Sequence, residues 1–315
     1  MSIIIPLFLA NKVIPNQMRG NMRALLIAIL ALCFLLIPNL EASSVDWVRD
    51  YNGPGNDPDR IAEVAIDSHG DIIVAGTSTV AGTITDFAII KFSPAGDTVW
   101  VRRIDNPITH FETCSLLAVD GDDNIIVAGT TYSTATQNDI MTAKLNNDGD
   151  LLWFRTFDGA AHADDYPYAV ATDPQGNIYV TGSTATVRNW PALEDFVTMK
   201  YSSSGSEQWV RFHDGGGDGD VAHDIDIDSS GNVYVTGNVN TSPAVPGIHC
   251  TTIKYSPDGD TAWVRTADDS APNSYSAGVE LEIDAEQNIY VGGSIDEGFN
   301  SRALIVKYNS NGDKL

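Results

Sequence analysis

Beyond residue 42 the chain runs in short stretches whose apolar and polar residues alternate with a period of two. Each stretch is punctuated by Gly, Asn, Asp or Pro. Successive side chains of a strand face opposite sides, so this pattern predicts half-buried strands joined by tight turns. Trp47, Trp100, Trp153, Trp209 and Trp263 lie 53, 53, 56 and 54 residues apart, a period expected of propeller blades or similar arrays. Each unit opens with an alternating run ending in Asp: Val64–Asp67, Leu117–Asp120, Val170–Asp173, Ile225–Asp228 and Leu281–Asp284. A turn follows, with Gly70, Gly176 and Gly231 where a positive φ is needed; Asp123 and Gln287 stand there in the other two units. A second strand ends in Gly76, Gly129, Gly182, Gly237 or Gly293, a third in Lys91, Lys144, Lys200, Lys254 or Lys307, and a Gly turn opens the Trp strand.

Four short strands per unit, without helical periodicity, predict an all-β propeller. One Trp47 strand, four complete units and three strands of a fifth make 20 strands, or five four-stranded blades. The Trp47 strand could fill the fifth blade and close the ring, protecting its edges. The rival expectation is a fragment of a larger propeller.

Residues 24–37 are uncharged and apolar, with Arg19 and Arg23 before them and Pro38–Ala42 after. A basic flank, an apolar run and a small residue predict a secretory signal cleaved after Ala42. The expected organisation is therefore a signal over 1–42 and a propeller domain over 43–315. Met18 or Met22 is the more ordinary start, so residues 1–17 read as an extension. Cys33 invites a lipoprotein reading, against which Leu32 stands where such signals carry a small residue.

The units resemble the bacterial SBBP-type β-propeller repeat, D-x-x-G-N-x-Y-V-x-G ahead of K-Y/L-x-x-x-G-x-x-x-W. The resemblance is clearest in Asp173–Gly182 and Lys200–Trp209, and it covers residues 47–315. It implies a secreted propeller without implying an activity, because fold does not fix function. The hairpin before each Trp is similar in length to the Asp-box of sialidase-like propellers, but its Gly sits one place earlier, so it transfers no catalytic residue.

Charge narrows the partners. The chain has 18 Lys and Arg against 42 Asp and Glu, a net charge of −24, and 33 of the acids are Asp. Asp suits turns because its short carboxylate binds nearby N–H groups. Removing residues 1–42 leaves 15 basic and 41 acidic residues. That balance excludes nucleic acid, which needs clustered Lys and Arg, and anionic lipid surfaces. Ten of the 15 basic residues recur with the repeat, at the five Lys above and at Arg49, Arg102, Arg155, Arg211 and Arg265. They read as scaffold, with stems beside Trp and Tyr and charged ends meeting acids or solvent. Cys114 and Cys250 occupy non-equivalent positions, so no disulfide framework is indicated.

In a propeller the loops from fourth to first strand and from second to third share one face, the usual place for ligands. Eight residues before each first-strand Asp stand Asp59, Glu112, Asp165, Asp220 and Ser276, with Asp57, His162, Asp164, Asp218, His223, Asp224 and Asp226 near them. The four acids are the candidate metal ligands, for Ca²⁺, which favours several carboxylate and carbonyl oxygens. The alternative is that each carboxylate caps its own loop. Trp190, the Trp outside the repeat register, is the candidate ligand-binding residue, able to stack on a sugar or anchor a peptide. No nucleophile–His–Asp order or phosphate loop stands out, and no catalytic residue is assigned. These features point to an exported, monomeric, non-catalytic binding or scaffold module, with a glycan or a protein at the cell surface as its partner. The alternatives are a carbohydrate-active enzyme, glycosidase or lyase, using acids on the channel face, and a structural repeat segment of a longer surface protein.

Overall fold

The computed structural model describes residues 46–315 apart from 82–83, 109–110, 189–192, 218, 242–246, 268–274 and 298–299. The chain divides into two units, Met1–Val48 and Arg49–Leu315. In the first, the described residues 46–48 have no regular structure. The second is all-β, and the fold is that of a β-propeller. Among the described residues it has 19 strands, which begin with β1 (Arg60–Ile66), β2 (Ile72–Ala81), β3 (Ile84–Phe92) and β4 (Thr98–Ile104), an antiparallel four-stranded sheet. The next four, β5 (Glu112–Val119), β6 (Ile125–Ser133), β7 (Gln137–Leu145) and β8 (Leu151–Phe157), repeat it. So do β9 (Asp165–Thr172), β10 (Ile178–Ala185), β11 (Glu194–Tyr201) and β12 (Glu207–His213). A fourth copy comprises β13 (Val221–Ile227), β14 (Val233–Asn240), β15 (Ile248–Tyr255) and β16 (Thr261–Thr266). One parallel pair, Ile248 with Tyr275, joins it to the meander β17 (Tyr275–Ile283), β18 (Ile289–Glu297) and β19 (Asn300–Tyr308). No helix of the described residues is long and apolar enough to cross a membrane.

The hydrophobic cores lie between neighbouring sheets. Ile73, Phe87 and Ile89 of the first sheet pack with Leu117, Ile125 and Met141 of the second. Comparable clusters join the second sheet to the third, the third to the fourth, and the fourth to the last meander. A buried face on each side of a sheet is what alternation within a multilayer repeat provides. Cys114 and Cys250 are free and buried, and burial pushes the Cys114 thiol up to about 12.

The recurring Asp is a turn device. Asp67 Oδ1 accepts the N–H groups of His69 and Asp71, at 2.9 Å each, and Asp120, Asp173 and Asp228 cap their turns the same way. The other carboxylate oxygen has two kinds of partner. Where the second strand begins Ile-Ile, the buried Lys reaches the Asp: Lys91 Nζ lies 2.7 Å from Asp67 and Lys144 Nζ 2.8 Å from Asp120. Burial alone would raise both carboxyl pKa values, but the Lys hydrogen bonds and turn N–H groups reverse this and hold them below the ordinary range. Where the second strand begins Ile-Tyr or Val-Tyr, the phenols of Tyr179, Tyr234 and Tyr290 donate to Asp173, Asp228 and Asp284 instead. The Lys then lies over the Tyr ring, at 5.2, 5.0 and 4.8 Å from its centre.

The five turn residues predicted to need positive φ all have it: Gly70, Gly176 and Gly231, and also Asp123 at 59° and Gln287 at 63°. A side chain in that region is strained, by about 1–2 kcal/mol, and glycine escapes it at some cost in chain entropy. Gln287→Gly is therefore expected to stabilise the protein by about 0.5–1 kcal/mol, read as a higher urea midpoint at unchanged slope.

The repeat-locked basic residues do more than meet acids or solvent. Arg49, Arg102, Arg211 and Arg265 send Nε–H to the carbonyls of Gly96, Gly149, Gly259 and Gly312, in the third-to-fourth-strand turn of the following unit. Trp100, Trp153, Trp209 and Trp263 donate Nε1–H to that same turn, at Asn147, Ser203, Pro257 and Ser310. The W-x-R motif thus latches each unit to the next.

Candidate functional site

Every first strand carries a β-bulge, falling between Ile61 and Glu63, Cys114 and Leu116, Pro167 and Ala169, Ala222 and Asp224, and Gly278 and Glu280. A bulge leaves one residue out of the ladder and re-aims its side chain. Here the extra residues are Ala62, Ser115, Tyr168, His223 and Val279. Two concavities follow from them. A cavity of about 250 Å³ lies where the five first strands meet, with Glu63, Tyr168, His223, Asp224, Val279 and Glu280 in its wall. A cleft of about 550 Å³ lies between the second and third sheets, walled by Thr113, Ser115, Thr130, Asn138, Tyr166 and Tyr168 among others.

In the smaller cavity the acids are held by neighbouring backbone. Glu63 Oε2 accepts the Leu117 N–H at 2.7 Å, and Asp224 Oδ2 accepts the Leu281 N–H at 2.6 Å. Each carboxylate therefore bridges one bulge to the next sheet. Burial drives the Asp224 carboxyl up to about 6, with Glu280 and Asp226 adding to the rise against the two N–H bonds. The Tyr168 and His223 rings pack in an edge-to-face arrangement, with centres 5.7 Å apart.

The larger cleft is uncharged. Hydroxyls come from Thr113, Ser115 and Thr130, and an amide from Asn138, whose Nδ2 donates to Asp164 Oδ1 behind it at 2.7 Å and to the Tyr166 hydroxyl at 3.1 Å. Tyr168 is 41% exposed there. Alternation alone did not reveal Tyr168 and His223, because a bulge has no signature in a period of two. Their column does offer a signal: the residue five before the recurring Asp differs in every unit.

Asp59, Asp165 and Asp220 each tie a loop to the second strand of their own unit, and Glu112 bonds to that strand. Asp59 accepts N–H groups of Gly53 and Thr79 at 2.6 and 3.3 Å. Asp165 accepts the Gly159 N–H at 2.7 Å and the Thr184 hydroxyl at 2.5 Å. Asp220 accepts the Gly215 and Asn240 N–H groups, both at 2.6 Å, and Glu112 the Thr131 hydroxyl at 3.0 Å. Three of them fall into separate clusters of acids, one per sheet junction: Asp86, Asp105 and Glu112; Asp139, Asp158 and Asp165; Asp195, Asp214 and Asp220. In each triplet the ligand oxygens lie within 4.8 Å of one another. The partners come from the start of the third strand and the end of the fourth, not from the column of the four acids. Burial pushes Asp139, Asp165, Asp195 and Asp220 each up to about 6. Trp190 and Asp218 lie outside the described residues.

Residues 159–186 and 208–242 match the Beta-propeller repeat SBBP, and residues 70–98 and 121–151 match a β-propeller domain of unknown function, DUF5122. The DUF5122 matches fall on the two units with the Lys–Asp turn and the SBBP matches on units with the Tyr–Asp turn. The chain is 24% identical over 216 residues, 53% of its length, to an uncharacterized WD repeat-containing protein of Acanthamoeba polyphaga mimivirus, of which it spans 15%. Among solved structures it is similar to a PL25 ulvan lyase (11% identity, 79% of this chain and 67% of that one, TM-score 0.46). It is likewise similar to the α-L-arabinofuranosidase Arb93A of Fusarium graminearum (9% identity, 82% and 84%, TM-score 0.46).

Proposed function

We propose that this β-propeller repeat protein is exported and acts as a non-catalytic binding module that holds a glycan in the cleft beside Tyr168. The lining of the cleft supports this reading. Thr113, Ser115 and Thr130 offer hydroxyl donors and acceptors and Asn138 an amide oxygen, as sugar hydroxyls require, Tyr166 and Tyr168 offer aromatic surface, and none of the lining residues is charged. A neutral, half-apolar wall suits a neutral glycan better than an anionic one beside so acidic a surface.

Tyr168→Ala is expected to weaken retention in affinity electrophoresis through neutral polysaccharide gels at least tenfold, while the melting temperature stays within about 2 °C. The expected stability change is small because Tyr168 is an exposed bulge residue. A variant retained as strongly as wild type would remove the cleft from consideration.

A second reading, a carbohydrate-active enzyme, is favoured by one observation: Asp224, at about 6, lines the smaller cavity together with Glu63 and Glu280. Against it, both Glu63 and Asp224 already hold backbone N–H groups. On the binding reading, prolonged incubation with the retained polysaccharide releases no reducing ends or unsaturated products; release lost in Asp224→Asn would establish the enzyme.

A further inference from the structure

The same position is solved in different ways at successive sheet junctions. At the first, where Asp86, Asp105 and Glu112 cluster, a cation of the chain itself meets the group: Arg103 Nε lies 3.7 Å from Asp86. Arg103 pairs across the sheet with Ala88, two residues beyond Asp86. At the second junction the corresponding residue, opposite Met141, is the exposed Thr156. The three acids persist there as Asp139, Asp158 and Asp165, now without an arginine at that place. At the last junction the acids themselves give way, with His249 and Ser276 in the equivalent columns.

Asp139 carries the second observation. Its residue is 7% exposed and its Oδ2 accepts the Thr136 hydroxyl at 2.7 Å, whereas Oδ1 is buried with no hydrogen-bond donor among the described residues. A buried carboxylate oxygen without a donor is costly unless a cation satisfies it. Around it the geometry is already set. Asp165 is fixed by Thr184 and Gly159, and Asp158 Oδ2 lies 2.7 Å from His162 Nδ1. The third junction differs at the residue equivalent to Asp139: Asp195 is less deeply buried, and no oxygen of Asp195, Asp214 or Asp220 is buried without a donor among the described residues.

We propose that Asp139, Asp158 and Asp165 form a site for a hard divalent cation, Ca²⁺, that pins the loop 158–165 to the preceding sheet. One oxygen from each of the three carboxylates lies close enough to the others for a single ion to reach all three. Carboxylates with backbone and water oxygens supply the ligand set such an ion prefers. The ion takes the place at this junction that Arg103 holds at the first.

Calorimetric titration of the chelator-stripped protein with CaCl₂ tests this. Wild type is expected to show saturable binding in the range of about 10⁻⁴–10⁻³ M, as in extracellular modules, and a Ca²⁺-dependent rise in melting temperature. Asp139→Asn and the more exposed Asp158→Asn are each expected to lose one equivalent, or to weaken it at least tenfold, with native circular dichroism. Thr156→Arg should melt higher than wild type in chelator and lose the same equivalent. No saturable heat in wild type, or Ca²⁺ binding unchanged in a folded Asp158→Asn or Thr156→Arg protein, overturns the site. Glycan retention by the cleft is read separately on the same proteins, so failure of one leaves the other standing.

Discussion

Gly182→Ala is expected to destabilise the protein by about 3–4 kcal/mol or more, enough to leave much of it unfolded at 37 °C. The cause is the bulge opposite. Gly182 pairs with Pro167 just where the β9 register slips past Tyr168, which drives the Tyr166 carbonyl towards β10. A Cβ on Gly182 would overlap that carbonyl oxygen and lie 2.9 Å from Pro167 Cα. Both obstacles are backbone, so no rotamer change relieves them. Gly76, Gly129, Gly237 and Gly293 face the corresponding carbonyls of Arg60, Thr113, Val221 and Ala277. Gly292, one residue before Gly293, has nothing within 4 Å of its Cβ position. Gly292→Ala is thus the control: it should be neutral or stabilising by about 0.5–1 kcal/mol, since glycine weakens a strand. Urea denaturation of the two variants checks the contrast, and equal midpoints would refute the steric account.

Trp209→Ala is expected to cost about 3–5 kcal/mol, as for other buried aromatics. The ring is 7% exposed and lies between the third and fourth sheets, 6.1 Å from Tyr179 and 6.0 Å from Tyr255 between ring centres. Gly259 closes one side, with its Cβ position 2.8 Å from the ring, and Arg211 stacks over it at 5.7 Å. Its Nε1–H also reaches the Pro257 carbonyl at 3.1 Å. Removing it opens a cavity at a junction and frees the Arg211 latch. Trp209→Phe keeps most of the apolar surface and loses the hydrogen bond, so about 1–2 kcal/mol is expected. Chemical denaturation followed by far-UV circular dichroism gives both values. If the Phe and Ala variants were equally unstable, the hydrogen bond rather than the packing would dominate the latch.

Much of the fold was legible because it is local and repeated. The Asp turn, the positive-φ position and the strand alternation each need only a few neighbouring residues, and every unit states them again. Asp123 and Gln287 illustrate how far register carries: both adopt the predicted glycine-like backbone although neither is glycine. The recurrence of Gly182 and its counterparts was also visible, but its reason was not, since the carbonyl it accommodates belongs to a bulge on another strand. Likewise the Lys and Arg columns read as scaffold, while their reach into the following unit depends on how the sheets stack.

The candidate sites divide the same way. Reading down a column grouped Asp59 with Glu112, Asp165 and Asp220; folding groups Asp165 with Asp139 and Asp158. Columns record what each unit needs for itself, here a carboxylate to hold its loop. Side chains from different columns meet only when a third strand, a fourth strand and the next first strand converge at a junction. Tyr168 and His223 reach their cavity for a similar reason, through a one-residue slip that reverses the face predicted by alternation. The sequence by itself therefore determined the repeat, the strands, the turns and the acidic character. Tertiary structure decided which acids are neighbours and which aromatics face open space, because those depend on distances between strands that are remote in the chain.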